Sequence, residues 1–451
     1  MQQLSVDEVR ERLEEALASG RDADVSRLAA YLPSSEIERL IPDLDARSLG
    51  VLFRAMGDEW LAGIVSELDA GVAARLLVRL TDVQAADVLE EMPPDEAADV
   101  VGELRDTDRE DVLREMEHEE AADIRELLEY APETAGGRMT PEFTALRESM
   151  TVDEALQFLR KVGEAADAVY YLYVTDQAGR LAGVTTLRDL VLSPGSRTVG
   201  EITKREVTSL QVADDQEQAA RALRESGFLA LPVLGPDRRL LGIITADDVA
   251  EVIEEEASED FERLGGSQPL EEPYLTASVW HLFRKRILWL LVLFAAHAYT
   301  GNVLKFYETE MATVVALGFF IPLLIGSGGN TGSQVVTTLV RAIAVGEVQM
   351  RDIFRVFTRE LVVGSLLAGA IGVAAFVRAW TLGVGPGIAE VVALTAFCIV
   401  AWSAVVASVL PLVLKRVGLD PAVASGPFIA TVVDGTGLII YFSIAKVVLG
   451  L

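Results

Sequence analysis

Hydrophobic and polar positions change their pattern twice along this chain. Up to about residue 130, short apolar clusters recur at helical spacing, at 64–68, 73–80, 85–91, 96–104 and 110–116, with similar Leu/Val/Ala placement. Pro33, Pro42, Pro93 and Pro94 punctuate them, and Asp82, Asp95 and Asp106 stand where helix caps are expected. None of these segments is long enough to bury its apolar stripe alone, so the pattern predicts a stack of short helices close to an α-solenoid. Between about 138 and 250, β-rich apolar runs alternate with turns and single helices, which predicts an α/β domain. After 274, charged positions nearly vanish. Apolar stretches follow at roughly 287–304, 311–340, 361–377, 391–414 and 421–448, each about long enough to cross a ~30 Å hydrocarbon core as a helix.

The expected fold class is therefore multidomain. An acidic helical-repeat domain occupies 1–132 and an α/β repeat pair 133–250, its units at about 138–198 and 199–250. An acidic connecting helix with its linker spans 251–273, and a polytopic α-helical membrane domain of five spans covers 274–451. Arg284, Lys285 and Arg286 precede the first span, Arg341, Arg351, Arg355 and Arg359 lie between the second and third, and Lys415 and Arg416 between the fourth and fifth. The other side carries Lys305, Arg378 and little else. The excess of basic residues on one side places the amino-terminal half in the cytoplasm and the carboxyl terminus outside. The charged amino terminus lacks an early apolar core, so no cleavable leader is expected.

Charge sharpens this division. The formal net charge is −30, yet the segment from Tyr274 onward carries 12 Lys and Arg against 8 Asp and Glu, leaving −34 on the first 273 residues. Such an excess repels nucleic acid and invites cations. A single cysteine, Cys398, excludes a disulfide framework and a cysteine metal centre. The histidines are His118, His281 and His297, with no pair at helical ligand spacing, which argues against a zinc site; His297, inside the first span, reads as a packed or interfacial residue, the alternative being that it faces the pathway.

Asp434 is the sole charge within 421–445. A carboxylate at mid-span costs about 2.5–3.5 kcal/mol on insertion scales. It is expected to face a protein-lined, watery path and meet a cation there, the alternative being a structural carboxylate bonded to a neighbouring helix. The second span is unusual too: Pro322 and the run GSGGNTGSQ at 326–334 read as an interruption, tolerated at membrane depth where it packs on protein or lines a wet cavity. Asn330, Thr331 and, at the start of the fifth span, Gly426 join Asp434 as candidate pore positions. Interrupted helices around one buried carboxylate are what a midplane ion site requires.

Within the α/β region, 171–191 aligns with 230–250 at an offset of 59 residues, matching Gly183 with Gly242, Thr186 with Thr245 and Asp189 with Asp248. This repeat resembles the tandem CBS (Bateman) module. That resemblance implies a nucleotide whose phosphate and ribose are held by a Thr hydroxyl and a helix-start Asp, with Tyr171, Arg188, Asp189 and Phe228 as candidates and ATP as the ligand. The alternative is that Asp189 and Asp248 cap helix starts. The second unit lacks an Arg before its Asp, so one nucleotide per pair is the most expected. The last helix then runs into VAEVIEEEASEDFERL at 249–264, where repeated like charges at i, i+4 call for a counter-charge that Arg263 alone does not supply.

Taken together, PLLIGSGGNTGSQ (322–334), DPAVASGPFIATVVDGTGLIIYFSIA (420–445), AGGRMT (135–140) and TADDVAEVIEEEASED (245–260) make the chain similar to the MgtE family of magnesium channels and transporters. The resemblance implies a homodimer in an inner (plasma) membrane of bacterial or archaeal type, with a pore between second and fifth helices where Asp434 holds hydrated Mg2+. It also implies a cytosolic Mg2+ sensor that shuts the pore, with candidates Glu217, Asp248, Glu251, Glu255, Glu256, Glu259, Asp260 and Asp420, and more weakly Asp95 and Asp99. Two departures stand out: Ser333 replaces a common Asn of the second-helix motif, and Gly227 sits where some relatives carry an acidic ligand. The competing expectations are the same transporter preferring Co2+, Ni2+ or Mn2+, and a non-conducting nucleotide sensor. No nucleophile–base pair appears in the spans, so an enzyme is not expected.

Overall fold

The computed structural model describes residues 5–41, 44–162, 171–270, 274 and 277–451. Pro42 and the end of the expected linker, 271–273, lie outside the described residues. The chain divides into two compact units, 1–255 and 256–451.

The first unit opens with short helices, from α1 (Val6–Ser19) to α10 (His118–Leu127). Caps set their lengths: Ser5 and Thr81 form capping boxes, while Asp45 and Asp69 accept from the third backbone N–H of the helices they precede. From α5 (Asp58–Val65) onward each helix packs on the one two places ahead, α5 on α7 (Asp82–Glu90) and α6 (Ala70–Leu77) on α8 (Pro94–Glu103). The expected solenoid-like stack is therefore present. Its fully buried Leu61, Leu76 and Leu77 continue into one core with Val100, Val101, Leu210, Leu231, Val249 and Val252, so α8 is anchored against the second half of the α/β domain. Burying each such side chain contributes about 1.5–3 kcal/mol.

The α/β domain holds two three-stranded sheets of equal design. β1 (Ala145–Arg147) runs parallel to β2 (Tyr171–Thr175), which pairs antiparallel with β3 (Leu181–Thr186); β4 (Leu210–Gln211), β5 (Ala230–Leu234) and β6 (Leu240–Thr245) repeat the scheme. The offset of 59 residues holds to the level of the bulges, at Val174/Thr175 and Val233/Leu234. The matched glycines have one cause. A Cβ on Gly183 would stand 2.3 Å from Lys204 O and one on Gly242 2.7 Å from Thr140 O, because another backbone crosses each strand there. Helices α11 (Val152–Val162), α12 (Leu187–Leu192), α13 (Val199–Ile202) and α14 (Gln216–Ser226) cover the sheets, and α15 (Ala246–Leu264) carries the acidic run as an unbroken helix.

In the second unit, helices long and apolar enough to cross a membrane are α16 (Val279–Phe306), α18 (Ile321–Ala344), α19 (Ile353–Thr381), α20 (Pro386–Arg416) and α21 (Gly426–Leu449), with the short α17 (Glu308–Thr313) between the first two. Five spans were expected, and their polar ends extend most of the helices beyond the apolar stretches. One expectation needs correction. The run 326–334 does not interrupt the second span: α18 is helical throughout, and the break lies before it, in the 3-10 turn Val315–Phe320. The small residues serve contact. A Cβ on Gly328 would come within 2.5 Å of Ile399 and 2.7 Å of Val433, and one on Gly332 within 2.5 Å of Ile429. The hydroxyls of Ser327 and Thr331 donate to carbonyls four residues back, at 2.7 and 2.9 Å, so they need no break to be satisfied. Helices α18, α20 and α21 form the buried centre, whereas α16 packs on α21 and buries only Leu293 and Val303.

Candidate functional site

Two groups of charged residues bear on function, one in each unit. In the membrane unit, Asp434 lies midway along α21 with its side chain 16% exposed, and its Oδ2 stands 3.1 Å from His297 Nε2 on α16. His297 Nδ1 lies 3.3 Å from the Thr431 hydroxyl, one turn below Asp434. Gly435 lets the helices approach: a Cβ there would be 2.3 Å from the Tyr299 ring. His297, expected to be packed or interfacial, is 47% exposed on the protomer and meets the mid-span acid. Asp434 thus lies within contact distance of an ionisable ring on a neighbouring helix.

The other expected pore positions line a strip where α18 and α21 run side by side. Gly426 would bring a Cβ within 3.0 Å of Ser333 Oγ, and Gly329 faces Ala430. Asn330 is exposed on the protomer, while Thr331 is buried and bonded to its own helix. Gly426 precedes Asp434 by eight residues, about 12 Å along the helix axis at 1.5 Å per residue, so these two do not share one cluster.

In the first unit, α8 and the start of α15 set carboxylates against one another. Asp95, Glu96 and Asp99 share α8; Asp248, Glu251 and Glu255 share α15. Burial, then Asp248, raises the Asp95 carboxyl to about 7. Burial also raises Asp99 to about 6, against the pull of Arg138 and with Glu251 and Glu255 pushing the same way. Glu96, Asp248 and Glu251 are raised as well, burial first. One oxygen each of Asp95 and Glu96 is buried without a hydrogen bond. Arg138 supplies a counter-charge, paired with Glu255 and 3.7 Å from Asp99, and its Nε donates to Gln216 Oε1 at 3.0 Å. The AGGRMT run places it there. A Cβ on Gly137 would stand 2.4 Å from Ala131 O, so two glycines are needed to turn the chain toward the acids.

This group fits a hard divalent cation, having excess negative charge, oxygen donors and orphaned lone pairs. Among the described residues no three such side chains converge closely enough to ligate one ion directly, so a cation here would be held through its own waters, as Mg2+ prefers. Glu217 stands apart, paired with Arg221 at 2.7 Å. Glu259, Asp260 and Asp420 belong to the second unit, where Arg263 pairs with both Glu259 and Asp420 and is also drawn by Asp260. Glu256 lies between the two groups on α15.

In the α/β pair, Tyr171 and Phe228 meet edge to face at 5.1 Å between centroids. Thr186 caps α12 through the Asp189 N–H at 3.1 Å, Lys204 Nζ approaches Asp189 Oδ2 at 3.6 Å, and Arg188 is exposed. The matching Asp248 is engaged differently, accepting from the Thr245 N–H and hydroxyl at 2.8 and 2.6 Å.

Family models match along the chain: an MgtE intracellular N domain at 32–133, CBS domains at 135–194 and 199–255, and the MgtE divalent cation transporter domain at 321–444. The magnesium transporter MgtE of Thermus thermophilus is 40% identical over 72% of this chain and 72% of its own length. The chain belongs to the MgtE family. The magnesium transporter MgtE of Enterococcus faecalis is 35% identical over 72% of this chain and 71% of its own. The crystal structure of the soluble part of a magnesium transporter, 34% identical, superposes with a TM-score of 0.50 over 56% of this chain and all of that one. The cytosolic domain of the Mg2+ channel MgtE in complex with ATP is 33% identical over 53% of this chain and 98% of that one, with a TM-score of 0.49. Within this MgtE chain, sequence reasoning missed Glu96, Arg138 and His297. His297 gave the same signal as Asp434, an ionisable group in an uncharged span. Arg138 sat inside a recognised motif without an assigned role.

Proposed function

We propose that this chain transports Mg2+ across an inner, plasma-type membrane as a homodimer, along a path lined by α18 and α21 with Asp434 as its charged station. The observation that carries the reading is a lone carboxylate at mid-span, in a chain whose relatives over 72% of its length are named magnesium transporters. Mg2+ sheds water reluctantly and is held by one or two carboxylates through its shell. Two-fold pairing would place two copies of Asp434 across one path and meet that need without a stripped cage. The basic loops support a cytoplasmic amino-terminal half.

The acids of α8 and α15 act in this reading as the cytosolic sensor. Bound Mg2+ neutralises Asp95, Glu96, Asp99, Asp248, Glu251 and Glu255 and favours their packing; when Mg2+ falls, repulsion between them opens it. Glu256, Glu259, Asp260 and Asp420 extend the acidic series, and Glu217 is the member with least support, since Arg221 already holds it. The α/β pair serves as a nucleotide site on the side of Tyr171, Phe228 and Asp189, where rings and a carboxylate stand near a capped helix start; Asp248, bonded to Thr245, serves its own helix start.

The test is Mg2+ uptake by reconstituted full-length protein with internal Mg2+ varied. Uptake that falls as internal Mg2+ rises, and that Asp434→Ala abolishes, supports the reading. No uptake above that of protein-free liposomes would favour the non-conducting nucleotide sensor, and uptake unchanged by Asp434→Ala would remove Asp434 from the path.

A further inference from the structure

The first span brings a nitrogen donor to the mid-span carboxylate, and the hydrogen bonds around that ring leave a place for a cation. A carbonyl oxygen only accepts, so the Thr431 hydroxyl, 2.9 Å from Pro427 O, gives its proton there. Its oxygen, 3.3 Å from His297 Nδ1, is then free to accept, so a ring protonated at Nδ1 satisfies both contacts of Thr431. In that tautomer Nε2 turns its lone pair to Asp434 Oδ2, itself an acceptor, 3.1 Å away. Two acceptors at that distance repel unless a proton or a metal ion lies between them. The spacing suits a metal: neighbouring ligands on an octahedral ion with bonds of about 2.1 Å are about 3.0 Å apart. A further oxygen shares this helix face. Thr300 Oγ1, one turn on from His297 and beside Gly435, is buried with no hydrogen-bond partner.

We infer that His297 Nε2 and Asp434 Oδ2 form a mixed nitrogen–oxygen site for imidazole-seeking divalent ions of the first transition row, Ni2+, Co2+ and Zn2+. These ions bond there directly, whereas Mg2+ passes with its waters kept. The inference rests on the transport reading of Asp434 and adds the class of ion that stops at it. Imidazole suits Ni2+ and Zn2+, while Mg2+ prefers carboxylate, carbonyl and water and gains nothing from the ring. Thr431 fixes the orientation of His297 as an outer hydrogen-bond partner does for a metal-bound histidine. His297 adds a nitrogen donor to what would otherwise be a lone oxygen ligand. The consequence is that these ions dwell in the path and obstruct Mg2+.

The experiment compares full-length wild type with His297→Gln in liposomes, titrating Ni2+ against Mg2+ uptake and scaling each protein to its own uptake without Ni2+. The expected result is a Ni2+ concentration for half-inhibition that rises at least roughly 10-fold in the variant, since losing only an outer hydrogen-bond partner of a metal-bound histidine already costs about 10–100-fold. Visible absorption of Co2+ added to each purified protein gives a second readout that needs no flux. A nitrogen-containing ligand field in wild type, reverting toward that of hydrated Co2+ in His297→Gln, supports the site. Equal Ni2+ sensitivity in the two proteins, or identical Co2+ spectra, overturns it. If wild type takes up no Mg2+ at all, the transport reading falls, and the Co2+ spectra alone decide the site.

Discussion

The two charged regions of this molecule solve the problem of attracting a cation in opposite ways. In the membrane unit, one carboxylate stands at mid-span with one imidazole beside it. In the first unit, six carboxylates share α8 and α15, with one guanidinium, Arg138, paired to Glu255 and 3.7 Å from Asp99. There burial and mutual repulsion both work against the charged forms, so number replaces isolation. In the proposed function, the membrane acid selects by position and the acids of α8 and α15 respond by accumulated repulsion. A path needs a site that an ion can leave, whereas a sensor needs a response to concentration.

The largest expected effect breaks the membrane side. Asp434→Asn keeps shape and removes charge, and Mg2+ uptake should fall about a hundredfold, the equivalent of roughly 2.7 kcal/mol. Asp434→Glu should retain measurable flux; if Asn and Glu behave alike in uptake assays, charge is not what the position contributes. Next in size is helix contact. Gly332→Val puts methyl groups where Ile429 and Ser403 already stand, and should cost about 1–3 kcal/mol by overpacking, read as a lowered unfolding temperature in detergent.

Arg138→Gln sharpens the cytosolic side. With the guanidinium gone, the acids of α8 and α15 should need Mg2+ to stay packed, losing about 1–3 kcal/mol in chelator and regaining most of it with Mg2+. Hydrogen exchange at α8 and the first turns of α15 reads both states; protection independent of Mg2+ would contradict the sensor. The smallest effect concerns pH. Asp95 at about 7 and Asp99 at about 6 bind protons more tightly folded than unfolded. Their contribution favours the packed form at low pH and is lost as pH rises through about 6 to 7. In chelator, protection at α8 should therefore be greater at pH 5 than at pH 8, and Mg2+ should narrow the gap.

Much of this arrangement was legible in the chain, and the reasons differ by region. Asp434 stands out because a membrane span has a nearly uniform background, so one charge is conspicuous. The paired sheets are legible because a duplicated unit repeats its constraints, down to Gly183 and Gly242 under crossing backbones. His297 is different. Its type and place in the span were visible, but its meeting with Asp434 depends on how α16 rotates against α21, and that rotation is set by Gly435 and Tyr299 across the interface. The glycine-rich second span misled for a related reason: small polar residues weaken a helix in isolation, while packing against Ile399, Ser403 and Ile429 supports one. Arg138 was hidden by a motif whose glycines explain the turn and not what the turn delivers.

Arg263 ends the acidic helix with its guanidinium shared between Glu259, one turn back, and Asp420, whose other oxygen accepts from the Ala422 N–H at 2.8 Å just ahead of α21. A planar fork gripped on both sides behaves as a rivet and not as a tether. A roll of the last turn of α15 therefore either carries the threshold of the fifth span with it or parts an ion pair.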